Sequence, residues 1–245
     1  MRRSPVDLRE ATEQAVTELV ESLPVTAPEP AEAIQLTAEP VILVTGYEAF
    51  GTHTANPSQE LAKLLDGRRI GRCAVAGVVL PVHHRETARH VSVLLGELQP
   101  VAVVHLGLAE GRTRLSLERV ALNVMDYRIP DSAGYRAEGE PCAAEGPAAY
   151  LATLPLTEML AALVAEGVPA HISNTAGTFL CNQTLYQTLH EIATRELAIR
   201  AGFVHLPLLP AMVAAAGLDQ ASMDLALALR GVETLLRVVA ETVAR

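Results

Sequence analysis

The chain has 245 residues, half of them hydrophobic, enough for one sizeable core in an ordinary soluble globular domain. Its 28 acidic and 19 basic residues give a formal charge of −9 with Lys and Arg scattered, so no nucleic-acid partner is expected. Cys73, Cys142 and Cys181 have no CxxC spacing, which indicates neither a disulfide framework nor a zinc knuckle, and no stretch approaches the ~18 apolar residues of a membrane span.

Residues 1–40 differ from the rest in composition. Val6, Leu8, Ala11, Ala15, Val16, Leu19, Val20 and Leu23 recur at helical spacing, and then Pro24, Pro28, Pro30 and Pro40 punctuate an acidic, Ala-rich stretch. The expectation is an N-terminal extension, a short amphipathic helix plus a Pro/Ala/Glu-rich tether, with a disordered segment as the alternative. The opening Met1-Arg2-Arg3-Ser4-Pro5 leads into no apolar signal-peptide core, so a reduced, cytoplasmic setting is expected.

From Val41 the pattern alternates. Val41 to Thr45 reads as a buried strand, Asn56-Pro57 as an N-cap and first helical position opening a helix to about Leu65, and Cys73 to Val82 as a β-rich run. A helix follows from about Arg85 to Leu98, then the continuous apolar strand Val101 to His105. Further on come a helix around Leu156 to Glu166, a strand around Ala170 to Ser173, a helix starting near Cys181, a strand around Phe203 to Leu206 and a closing helix from about Ala221 to Val243. Such alternation predicts an α/β fold, a three-layer α/β/α sandwich with a mixed, mainly parallel central sheet. The loops after these strands, Gly46 to Pro57, Gly107 to Arg114 and Asn174 to Cys181, together with His205, are expected to meet at the carboxyl ends of the strands. None carries GxGxxG, GxxxxGK[ST] or GxSxG spacing, so dinucleotide, P-loop and serine-hydrolase chemistry lack their apparatus.

Cys181 sits where Thr178-Phe179-Leu180 turns into the helical stretch. Free backbone N–H groups and the positive end of the helix dipole favour a thiolate there. His205 can complete a Cys/His pair; an inert core cysteine and a backbone-bonded core histidine are the competing readings. The eight histidines, the His83-His84 doublet included, show no HExxH or comparable ligand spacing, so no metal is expected.

Four ordered segments narrow the choice: Val44-Thr45-Gly46-Tyr47-Glu48-Ala49-Phe50-Gly51 followed by Asn56-Pro57-Ser58; His105 to Arg112 running into Ser116 to Asn123 and Arg128-Ile129-Pro130-Asp131; Ser173 to Asn182; and Gly202-Phe203-Val204-His205-Leu206-Pro207. Together they resemble the pyroglutamyl peptidase I (pyrrolidone-carboxylate peptidase) family of cysteine peptidases over about Val41 to Pro210. The resemblance implies a peptidase domain over 41–245 that hydrolyses the amide bond after an N-terminal pyroglutamyl residue through Cys181, His205 and Glu118. It implies that Arg128 assists the oxyanion and that Tyr47, Phe50, Ile129, Phe179 and Leu180 wall the substrate pocket, with Asn56 and the backbone near Leu108 as polar partners. It implies no cofactor, peptides with N-terminal pyroglutamate as partners, no membrane, and a homodimer or homotetramer. Tyr47, Ala49 and Thr52 depart from the usual Gly-Phe-Glu-Pro-Phe-Gly-Gly pattern. Glu118 as a carboxylate paired with Arg112 or Arg119, and Arg128 as a partner of Asp126 or Asp131, are the residue-level alternatives. At the level of function the alternatives are an idle binding or assembly protein and an amidase for another cyclic amide.

Overall fold

Val41–Tyr47 (β1), Ala102–Leu108 (β4) and Arg200–Leu206 (β11) bury all or all but one of their positions, as strands covered on both faces must. In this computed structural model, which describes residues 39–243, they are joined by Arg69–Ile70 (β2), Cys73–Leu80 (β3), Leu115–Glu118 (β5) and Ala170–Ser173 (β10). The sheet order is β10-β5-β11-β4-β1-β3-β2. The helix and tether expected over 1–40 lie outside the described residues, apart from Glu39 and Pro40.

Neighbours from β3 through β1 and β4 to β11 are parallel, as are β5 and β10, while β5 runs against β11 and β2 against β3. The sheet is therefore mixed and mainly parallel. The reversal at β5 corrects one expectation: β5 and β10 point the other way, so the site is not assembled solely from the carboxyl ends of a single parallel set. Two small antiparallel pairs, Val120–Leu122 (β6) with Ala149–Leu151 (β9) and Met125–Asp126 (β7) with Glu138–Glu140 (β8), occupy the excursion after β5.

The helices are Pro57–Leu65 (α1), His84–Leu98 (α2), Leu156–Ala165 (α3), Leu180–Thr194 (α4), Pro210–Ala216 (α5) and Leu225–Thr242 (α6). Asn56 caps α1 as expected, its side chain accepting from Ser58 N, with Pro57 at the first position. Helix α2 begins one residue early because His83 serves as an unusual N-cap, its side chain accepting from Arg85 N and Glu86 N. Helix α6 begins late, at Leu225, because the Asp224 side chain accepts from Ala226 N. No helix among the described residues is long and apolar enough to cross a membrane.

Strand periodicity divides the side chains between two faces. Ile42, Val44, Val104, Leu106, Leu115, Leu117, Val204 and Leu206 belong to one aliphatic core with Leu61 and Leu65 of α1, Met159 and Leu163 of α3, and Val232, Leu235 and Val239 of α6. The intervening residues, among them Thr45, Tyr47, His105, Glu118, Phe203 and His205, lie on the face covered by α2 and α4, which pack on each other. A Cβ at Gly46 would lie 2.0 Å from Ser58 O, so a glycine there lets α1 approach β1 closely.

Candidate active site

Cys181 lies in the first turn of α4, whose N-cap residue Phe179 supplies no side-chain hydrogen bond. Three consecutive buried side chains hold that turn instead. Asn182 Oδ1 accepts from Leu122 N at 2.8 Å while its Nδ2 donates to Leu122 O and Val124 O, both at 2.9 Å. Gln183 Nε2 donates to His84 O at 2.8 Å, and its Oε1 accepts from the Tyr127 hydroxyl. Thr184 Oγ1 accepts from the Tyr47 hydroxyl at 2.6 Å.

His205 pairs across the sheet with Ser116, two residues before Glu118 on the same face of β5. Glu118 Oε1 lies 2.8 Å from His205 Nδ1, and the Cys181 sulfur stands beside Gly107, the cross-strand partner of His205, near enough to raise the pKa of the imidazole. Burial alone would lower the pKa of His205. The influence of Cys181, followed by that of Glu118, outweighs burial and pushes it up to about 9. The ring is thus biased toward its imidazolium form, with a carboxylate on Nδ1 and the sulfur nearby.

Glu118 is fully buried, not a surface carboxylate, yet Arg112 Nη2 also lies 3.6 Å from the same Oε1. Among the described residues its Oε2 has no hydrogen-bond partner.

Next to the sulfur is a small cavity of about 250 Å³, its open mouth included. Tyr47, Phe50, Asn56, Leu108, Phe179 and Leu180, six of the seven substrate-binding candidates, line it together with Cys181. The Phe50 and Phe179 rings stack with centroids 6.0 Å apart, and Tyr127 meets Phe179 edge-on at 4.7 Å. Asn56 is largely engaged within its own loop: Oδ1 accepts from Ser58 N and Oγ, and Nδ2 donates to Glu48 O at 3.0 Å, which leaves one amide hydrogen. A slot with these walls can take a small, flat, neutral ring.

The profile of the pyroglutamyl peptidase family matches residues 41–242. The chain belongs to that family. Pyrrolidone-carboxylate peptidase of Gloeobacter violaceus is 44% identical over 198 residues, 81% of this chain and 96% of that protein. The Pyrococcus furiosus protein of the same name is 42% identical over 172 residues, 70% of this chain and 83% of its own. Among solved structures, pyrrolidone carboxyl peptidase from Thermococcus litoralis superposes with a TM-score of 0.81 at 35% identity, covering 84% of this chain and 95% of that one.

Within this pyroglutamyl peptidase fold, two candidates lie outside the slot. Arg128 and Ile129 line an open groove beside it that shares Phe50, Leu108 and Phe179, and Ile129 is 47% exposed. The suggested pairing of Arg128 with Asp131 is absent among the described residues, because the Asp131 carboxylate accepts from His84, Ala133 and Tyr135.

Sequence reasoning gave no role to Val82, which completes the slot, or to Gly107. A Cβ on Gly107 would stand 3.1 Å from Cys181 Sγ and 2.7 Å from the Phe203 ring, and a glycine inside an apolar strand is the signal for such an approach. The His83-His84 doublet does meet a third ligand type, since Asp131 lies within 4.8 Å of both. His83 Nδ1 is engaged by backbone amides, His84 Nδ1 by Asp131 at 2.9 Å, and the two rings stack within 10° of parallel.

Proposed function

We propose that the chain is a cysteine exopeptidase that removes N-terminal pyroglutamyl residues from peptides, with 41–245 as the peptidase domain and 1–40 as an extension. The observation that carries this reading is the His205 imidazole held by Glu118, with Cys181 near enough to raise its pKa, beside an apolar slot that the sulfur borders. Family membership supports it.

In this reading the pyroglutamyl ring lies between Tyr47, Phe50, Phe179 and Leu180, with Asn56 and the backbone at Leu108 answering its polar atoms. Ile129 and Arg128 border the exit toward the leaving peptide. Cys181 Sγ attacks the carbonyl carbon, and the Cys181 N–H and Arg128 support the oxyanion. Imidazolium His205 gives its proton to the departing amine, which leaves a thioester. His205, now neutral, takes a proton from water as the hydroxide adds to the thioester carbonyl, and Cys181 is released. Glu118 holds Nδ1–H throughout and so directs Nε2 at the sulfur. The enzyme acts in the cytoplasm as a homodimer or homotetramer, without a metal or cofactor.

Hydrolysis of a pyroglutamyl arylamide by the wild type, and its abolition in Cys181→Ala, is the expected result. Wild-type turnover by Cys181→Ala would remove the nucleophile assignment, and an inert wild type would remove the function.

A further inference from the structure

Tyrosine makes an awkward wall for an apolar slot, because a buried hydroxyl needs a partner and the Cys181 sulfur borders the same cavity. Tyr47 is 3% exposed, and its hydroxyl is turned into the first turn of α4, donating to Thr184 Oγ1 at 2.6 Å, with Leu180 O at 3.4 Å. Thr184 is itself 1% exposed and stands three residues after Cys181, on the adjoining part of the same helical face. Burial first, then the nearby Cys181, raise the Tyr47 pKa well above its usual value, so the phenol keeps its proton and always has a hydrogen to donate. Donated to the sulfur, that hydrogen would stabilise the anion and weaken it as a nucleophile.

We propose that Thr184 is a positioning residue that draws the Tyr47 hydroxyl away from Cys181, keeping the slot apolar and the sulfur free to attack. This rests on the peptidase reading and adds a device for tolerating tyrosine at position 47. Thr184 touches neither substrate nor sulfur in this role; it acts through Tyr47.

The test compares wild type with Thr184→Val, Thr184→Ser, Tyr47→Phe and the Tyr47→Phe/Thr184→Val double variant. Two rates are read, hydrolysis of a pyroglutamyl arylamide and alkylation of Cys181 by iodoacetamide in full-length protein. Thr184→Val, equal in shape but unable to accept, is expected to lower kcat and the alkylation rate by about tenfold, with KM little changed. Thr184→Ser, which keeps the acceptor, is expected within about twofold of wild type, and the double variant within about twofold of Tyr47→Phe, in which no hydroxyl needs an acceptor. Wild-type rates in Thr184→Val, or a double variant about tenfold slower than Tyr47→Phe, would overturn the proposal. An arylamide left intact by wild type would defeat the peptidase reading alone, because alkylation still reports on Thr184.

Discussion

The two faces of the central sheet are built from alternate residues of the same strands, yet they differ in chemistry. Toward α1, α3 and α6 the strands send Val, Ile and Leu into a dry core. Toward α2 and α4 they send hydroxyls, imidazoles and a carboxylate, each buried and most of them paired across elements. His105 illustrates the second face: fully buried on β4, it links Thr45 of β1 at 2.7 Å to Thr188 of α4 at 3.0 Å. One face holds the fold together, and the other sets helix α4, with its cysteine, at a defined place over the sheet.

The largest effects are expected on the polar face. His205→Ala should lower kcat by about a thousandfold or more, and Glu118→Gln by less, because it orients and does not exchange protons with substrate. Steady-state rates with folding checked by circular dichroism decide this; an active His205→Ala would erase the distinction between the faces. On the dry face, Leu235→Ala should cost about 2–5 kcal/mol in urea unfolding while the folded fraction keeps its kcat. Next in size, Gly107→Ala should lower kcat about 10- to 100-fold through crowding at Cys181 Sγ and Phe203, with smaller loss of stability.

Two histidines on the polar face give the finest comparison. His205 keeps its proton up to about pH 9, so kcat/KM should fall on the alkaline side near that value as the acid for the leaving amine is lost. His105 is the opposite case, its pKa lowered to about 3 by burial. The fold then prefers neutral His105, and the unfolded chain binds a proton below about pH 6.5. Its contribution is present above pH 6.5 and is lost as pH falls from there toward 3, by about 1.4 kcal/mol for each pH unit. Urea titrations of wild type and His105→Gln at several pH values measure the difference in slope; parallel slopes would show that His105 carries no such linkage.

Much of the dry face is legible in the sequence, because Ile42 and Val44, Val104 and Leu106, or Val204 and Leu206 repeat every second residue. Asn56-Pro57 names its own helix start. His83 does not, since an imidazole seldom caps, and α5 and the short strands β5 to β9 carry too little periodicity to stand out. The antiparallel seam between β5 and β11 joins residues far apart in sequence, and no local pattern encodes it. Cys181 and His205 can be picked from residue type and position, whereas Glu118 is reached only through resemblance. Thr184 reads as one more helix residue until Tyr47 is seen beside it.

Asn182, Gln183 and Thr184 answer respectively to Leu122, His84 and Tyr47, all made before the cysteine they flank, while His205 is made after it. On the proposed mechanism the chain gains its proton carrier only when β11 takes its place between β4 and β5, so synthesis itself orders the parts.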